Sequence, residues 1–473
     1  VLVLAQDFLQ HKTENLSIKV IFKLAMKMYE NVRKKPKEVN NPTSIHIILF
    51  LSRLFMALLP RRHAYTSPLP EIYKIDLPNG AEFYPIRRGN VKALKLELSF
   101  AAGRPFEEKI GLATATLQLF KGGTQRKSAT RLADGFDYWG SSVNLDFYID
   151  TCGIKLFALE KYLPQTLSLL VDMLTAPRFP KSELNLYKRQ QKEKLRSDQS
   201  RGDVVAYRHF TENLFGTQHP YGYNSTPETI DQITRDDLFS HYRKNYSMTG
   251  CRIFLSGNFS DQTQELIAEA LGSMILAPSK PVPKILIESA PAPSKQKITL
   301  EASVQSSIRL GRRMFKRDHP DFEPMFMLNT LLGGYYGSRL MQNLREKKGL
   351  TYHIYSSLDT FLFGGYFLIS TEVDKSRSEL ALNQIKKEIK RLQEQPVPAR
   401  ELETVKHYLK GSFLNYFENA FAYSELVRAL SLEGGIDTFK KLLVGLENVD
   451  SSAILDLANK YFQEKDLTLV MIS

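Results

Sequence analysis

The chain reads as α+β: two homologous lobes, each a mainly antiparallel sheet packed with helices. Three observations lead there. First, one order of elements occurs twice. A strand (Asp146 to Leu156), a helix (Leu163 to Thr175), a Pro-marked turn and a helix opening Lys181-Ser182-Glu183-Leu184 are echoed by a strand (Gly365 to Glu372), a helix (Ser378 to Gln393), a Pro-marked turn and a helix opening Ala399-Arg400-Glu401-Leu402. Second, the offsets agree. Glu183 falls on Glu401 at a shift of 218, and Ile233 to Leu238 falls on Val449 to Ile454 at a shift of 216. Third, both copies finish alike, with an amphipathic helix ending near Tyr246 or Phe462 and then an apolar strand, Cys251 to Ser256 or Leu467 to Ile472. Solenoid repeats are about 20–50 residues long, so this period signals a duplicated domain.

In order along the chain, residues 1–66 read as a leader. Residues 1–62 carry eleven Lys/Arg against four Asp/Glu. Within them Ile45 to Leu59 is apolar but interrupted by His46 and Arg53. That run is shorter than the ~20 residues a membrane helix needs, and no small-residue cleavage site follows it. An irrelevant extension and a targeting or anchoring segment fit it equally. The folded part begins near Pro68, and residues 67–277 form the N-terminal lobe. Ile72 to Pro85 reads as a hairpin turning at Leu77-Pro78-Asn79-Gly80. Val91 to Ala102 alternates Leu94, Leu96, Leu98 and Phe100, which predicts a half-buried strand. Residues 278–296, with Pro278, Pro281, Pro283, Pro291 and Pro293, form a semi-rigid linker that lets the lobes face each other across a cleft. Residues 297–473 form the C-terminal lobe.

Composition narrows the function. A chain of 473 residues with 43% hydrophobic and 24% charged content is ordinary for a globular protein of two to four domains. Cys152 and Cys251 are the two cysteines, too few for a disulfide framework or a thiolate zinc cage. The formal charge of +13 sits mostly in the leader, and no nucleic-acid motif accompanies it. No nucleic-acid partner and no integral membrane span are expected. The nine histidines include no two spaced three to five apart, so none forms a helical metal pair. No nucleophile elbow, phosphate loop or dinucleotide fingerprint is present. Gly333-Gly334 reads as a close-packed turn after a Phe322 to Leu332 helix, and His219, in Gln218-His219-Pro220-Tyr221-Gly222, reads as structural.

Two stretches carry the chemistry. Gly337-Ser338-Arg339-Leu340-Met341-Gln342-Asn343-Leu344-Arg345-Glu346-Lys347-Lys348-Gly349-Leu350-Thr351-Tyr352 resembles the C-terminal-domain signature of the pitrilysin/insulinase type of zinc metallopeptidase. Gly111-Leu112-Ala113-Thr114-Ala115-Thr116-Leu117-Gln118-Leu119-Phe120-Lys121-Gly122-Gly123-Thr124 resembles the helix that carries that family's His-x-x-Glu-His motif, with Thr114, Leu117 and Gln118 at the three functional positions. Zinc chemistry there needs two neutral imidazoles one turn apart and a carboxylate to take a proton from water. A hydroxyl, an isobutyl group and an amide supply neither. The third ligand, a Glu, is expected near Asn185 to Gln190, a window without a carboxylate; Glu183 and Glu193 flank it.

The resemblance covers residues 70–473 and implies that Arg345 and Tyr352 bind the carbonyl oxygen under attack. Negative charge grows on that oxygen, and fixed donors stabilise it. Arg345 is expected near a helix end closed by a left-handed Gly349, with Tyr352 opening the next strand. Basic residues in a last helical turn also suit the helix dipole without any catalytic role. The edge strand at Ser142, Val143 and Asn144 corresponds to one that hydrogen-bonds extended substrate in relatives; a core strand fits it equally. The whole resembles the non-catalytic, Arg/Tyr-bearing subunit of a bacterial heterodimeric enzyme. Such a subunit binds no cofactor itself. It expects zinc in a homologous His-x-x-Glu-His-bearing partner and unfolded peptides as substrate. A structural core-type subunit with no part in proteolysis, and an independent peptidase with atypical ligands, are the alternatives.

Overall fold

The computed structural model describes residues 72–473 apart from 91, 278–279, 284–290, 302 and 433. The leader, its apolar run and the start near Pro68 lie outside the described residues. Among those described, no helix is long and apolar enough to cross a membrane.

The first sheet grows from the expected hairpin. β1 (Ile75–Asp76) and β2 (Glu82–Arg87) pair antiparallel around Gly80, whose φ of 82° suits glycine. Asn79 donates from Nδ2 to the Leu271 and Met274 carbonyls, pinning the turn to the lobe. Then follow β3 (Ala93–Phe100), α1 (Leu112–Leu119), α2 (Ala129–Tyr138), β4 (Ser142–Phe147), β5 (Cys152–Leu159), α3 (Leu163–Thr175), α4 (Lys181–Gln199), α5 (Gly202–Phe215), α6 (Pro227–Asp231), α7 (Arg235–Asn245), β6 (Arg252–Gly257) and α8 (Asp261–Gly272). The strand order is β1-β2-β6-β3-β5-β4. The expected strand over Asp146 to Leu156 is in fact the end of β4, a turn and most of β5. The turn closes with Tyr148 N–H donating to the Thr151 carbonyl, and apolar Tyr148-Ile149 hid it in the sequence.

The second sheet comprises β7 (Lys295–Ile298), β8 (Gln305–Met314), β9 (Ile354–Phe361), β10 (Gly364–Asp374) and β11 (Thr468–Ile472), in the order β7-β11-β8-β10-β9. Its helices are α9 (Phe322–Asn329), α10 (Ser378–Glu394), α11 (Ala399–Glu418), α12 (Ala420–Ser431), α13 (Ile436–Asn448) and α14 (Ser451–Tyr461). The two sheets share one wiring. β2 and β6 are parallel, as are β7 and β11, and the remaining pairings match in sense. Local chemistry repeats too. Pro180 and Pro398 cap the long helices, and Thr234 and Asp450 cap α7 and α14 through side-chain oxygens. β7 begins inside the segment read as linker. Its Lys-Gln-Lys-Ile has no apolar signature because it needs only β11 beside it, at the sheet edge.

The lobes interlock. α5, from the first half of the chain, packs on β8 and β11 of the second sheet. Its Ala206, Phe210 and Leu214 share a core with Leu368, Val470 and Ile472. α12, from the second half, packs on β6 and β2 of the first sheet, with Tyr423 and Val427 against Tyr84, Ile86 and Phe254. Each sheet thus carries its own helices on one face and a borrowed helix on the other. That is why β3 is buried on both faces rather than one. Lys95 and Glu97, which a half-buried strand would show to water, are 2% and 0% exposed. They meet Glu425 and Arg428 of α12: Lys95 Nζ and Lys155 Nζ lie 2.8 and 2.7 Å from Glu425 Oε1, and Arg428 Nε lies 3.1 Å from its Oε2.

Candidate functional site

α1 holds the degenerate metal positions. It opens at Gly111, φ 86°, and Glu107 accepts from the Gly111 and Ala113 N–H groups at its N-terminus. Burial pushes that carboxyl up, with hydrogen bonds from Tyr223 and the helix amides opposing. Leu117 is fully buried in the first-lobe core, whereas Thr114 is half-buried and Gln118 exposed. The position where a proton-moving carboxylate was sought is apolar packing, and the pair one turn apart offers a hydroxyl and an amide. On α4, Glu193 is engaged by Arg196 and Glu183 packs beside Gly122. Among the described residues no group of three His, Cys, Asp or Glu side chains could hold a metal ion. The residues present do not fit zinc. His219 is structural in its contacts: its Nδ1 accepts from Tyr221 N–H and its ring stacks on Phe215.

The Arg/Tyr segment has an unusual backbone. α9 runs into a wide π-helical turn, Thr330–Gly334, and a second π-helix spans Met341–Lys347. Such turns are rare and cluster at functional sites. The Gly333-Gly334 pair therefore ends a helix rather than following one. It is close-packed as expected, since a Cβ on Gly333 would lie 2.5 Å from Ser356 N. Met341 and Leu344 face the core. Arg339 makes two parallel bonds to Glu401 at 2.8 and 2.9 Å, and Asn343 donates to Glu388 at 2.7 Å, fixing the inner side of the segment. Gly349, at φ 57°, ends the π-helix in the left-handed region, its N–H donating to the Arg345 carbonyl.

Arg345 stands on the outer side, about two-fifths exposed. Its guanidinium carbon lies 5.2 Å from the centre of the Tyr336 ring, and its Nε lies 3.7 Å from Glu346 Oε1. The Tyr336 hydroxyl donates to that same oxygen. Among the described residues the guanidinium donates no hydrogen bond, so its two terminal nitrogens stay free. Tyr352 lies two residues before β9 instead of opening it, and it is 87% exposed. The backbone around it is nevertheless pinned: Thr351 Oγ1 donates to the Glu372 carbonyl and accepts from His353 N–H. Tyr336 and Glu346 were missed in the sequence. The signal was an aromatic residue nine positions before the arginine, and helical periodicity gives no reason to connect the two.

Ser142, Val143 and Asn144 begin β4, the terminal strand of the first sheet, so among the described residues its outer side is unpaired. Val143 points into the core while Ser142 and Asn144 are exposed. The strand is thus both a core strand and an open edge. Among the described residues, no hydrogen bond or ion pair joins this edge, the degenerate positions on α1 and the Arg345 segment to one another.

Among the described residues the chain joins a two-lobed α+β fold to an Arg345-bearing π-helical segment and to an α1 whose donor set does not fit zinc. Residues 232–409, a span that contains Arg345 and Tyr352 and excludes Thr114 to Gln118, match the family described as Peptidase M16 inactive domain. A Bacillus subtilis protein called uncharacterized zinc protease YmxG is 24% identical over 408 residues, covering 85% of this chain and 98% of the relative. A Helicobacter pylori protein called non-peptidase homolog YmxG is 25% identical over 394 residues, covering 80% and 88%. The crystal structure of a peptidase M16 inactive domain from Pseudomonas fluorescens superposes with a TM-score of 0.78 at 24% identity, over 85% of this chain and 98% of that one.

Proposed function

We propose that this chain is the non-catalytic subunit of a zinc metallopeptidase. It completes the peptide-binding chamber of a homologous partner that carries His-x-x-Glu-His and the zinc. Arg345 and Tyr352 donate hydrogen bonds to the substrate carbonyl oxygen as charge builds on it, and the open edge at Ser142 to Asn144 pairs with extended peptide. The observation that carries this reading is the Arg345 guanidinium. It is held along one ring face and at Nε, with its terminal nitrogens left for an acceptor outside the chain. A purely structural subunit has no need of such a group. The relatives' descriptions point both ways, to a zinc protease and to a non-peptidase homologue. The donor set at Thr114, Leu117 and Gln118 favours the second for the isolated chain.

The test is cleavage of an unfolded fluorogenic polypeptide, with metal analysis, by this chain alone and mixed with a His-x-x-Glu-His-bearing homologue from the same genome. The chain alone is expected to hold no zinc and cleave nothing, and the mixture to show chelator-sensitive turnover. Arg345→Ala or Tyr352→Phe in the mixture should lower kcat by ~10²-fold. Stoichiometric zinc with cleavage by the chain alone would overturn the reading.

A further inference from the structure

We propose that Tyr336, acting with Glu346, is the positioning residue that holds Arg345 in a donor-ready pose; this rests on the reading of Arg345 given above. Tyr336 sits in the short turn between the two π-helices, after Tyr335 has left helical geometry. Its side chain is 58% exposed, which a tyrosine serving only the core would not be. Two contacts explain its place. The ring face lies under the Arg345 guanidinium at 5.2 Å, within cation–π range. The hydroxyl donates to Glu346 Oε1 at 2.5 Å, and that oxygen also faces Arg345 Nε at 3.7 Å. One carboxylate oxygen therefore ties the phenol and the inner edge of the guanidinium together. The ring and the carboxylate thus restrain Arg345 at its guanidinium carbon and at Nε.

This arrangement answers a problem set by exposure. A long arginine side chain at the surface has rotamer entropy to lose before it can act as a fixed donor. A carboxylate alone would restrain it but would compete for its terminal nitrogens. Drawing Glu346 towards Nε through the Tyr336 hydroxyl keeps the carboxylate at the rear of the guanidinium. The aromatic face restrains the plane without accepting a hydrogen bond from the nitrogens meant for substrate. Among the described residues Tyr352 has no comparable side-chain support.

The test has two arms. In the isolated chain, the Arg345 Nε–H signal, assigned by its loss in Arg345→Lys, should exchange slowly with solvent and move to the fast, averaged position in Tyr336→Ala and Glu346→Gln. A wild-type signal already averaged would overturn the proposal. In the complex with the zinc-bearing homologue, turning over a fluorogenic polypeptide, Tyr336→Ala should lower kcat by about tenfold or more with KM within about twofold, because misplacing a donor costs rate rather than binding. Tyr336→Phe, which keeps the ring but loses the hydroxyl bond to Glu346, should recover only part of that loss. In the Arg345→Ala background, Tyr336→Ala should add nothing, whereas a merely structural role would give additive losses. Full activity of Tyr336→Ala beside an impaired Arg345→Ala would sink this inference and leave the donor role standing. Full activity of Arg345→Ala would sink both.

Discussion

Arg345 and Tyr352 arrive at the surface with different degrees of preparation. The guanidinium has Tyr336 and Glu346 beside it, while the phenol projects from a pinned backbone with no side-chain partner among the described residues. Both were legible as residues to single out, because type and spacing are one-dimensional. Their bracing was not, because Tyr336 reaches Arg345 across a π-helical turn that no periodicity announces. Other single residues set the pH response. His241 is buried with Nε2 against the Ala102 carbonyl at 3.1 Å and Nδ1 against the Asn245 amide at 2.9 Å. Burial pushes its imidazole down to about 4 from an ordinary 6.5, with the carbonyl and Glu108 opposing. A histidine depressed on folding stabilises the fold fully above its unfolded value, and that stability is lost as pH falls from 6.5 towards 4. Unfolding in urea at pH 7.5 and at pH 4.5 should therefore differ, with His241 contributing roughly 3 kcal/mol to the loss. His241→Gln should flatten the dependence in that window.

Among elements, β3 shows most clearly where periodicity misleads. Its Leu94, Leu96, Leu98 and Phe100 were read correctly as a core face. The opposite face carries Lys95 and Glu97, which a half-buried strand would show to water. It is covered by α12, some 330 residues later, whose Glu425 and Arg428 supply the matching charges. Burial alone would raise the Glu425 carboxyl, but the Lys155 and Lys95 ammonium groups donating to it bring it down to about 2. Removing it leaves the fully buried Lys95 with only the more distant Glu97 carboxylate at 3.7 Å, while Lys155 keeps Asp146 at 2.7 Å. Glu425→Ala should cost roughly 2 kcal/mol at pH 7, discounted for its partial exposure; the difference in denaturant midpoint checks it. Burial with a nearby like charge pushes Glu97 the other way, up. At the seam of α5 with the second sheet, a Cβ on Gly311 would come 1.9 Å from the Phe367 carbonyl oxygen and 2.9 Å from the Phe210 ring. Gly311→Ala should destabilise by about 1–3 kcal/mol or more, read by thermal or chemical unfolding. The helices Leu163 to Thr175 and those opening at Lys181 and Ala399 were legible nearly to the residue, because a Pro next to each start (Pro164, Pro180 and Pro398) fixes the boundary.

For the molecule as a whole, the duplication was visible in offsets of 216 and 218, and the matched strand orders of the two sheets display the same repeat. What one dimension could not show is that the copies trade helices, since nothing in α5 or α12 marks which sheet each will cover. The exchange predicts single-transition unfolding followed by tryptophan fluorescence and by far-ultraviolet circular dichroism, with coincident midpoints. It also predicts that cutting a specific protease site introduced after Pro283 leaves both fragments eluting together in size-exclusion chromatography. Separation of the fragments under native conditions would show that the borrowed helices contribute little. The trade has a consequence for descent as well. Once each copy had lent a helix to the other, neither could mutate its seam alone, so the two halves must inherit as a matched pair. A chimera that joins the front of one relative to the back of another would meet mismatched surfaces on both sheets at once.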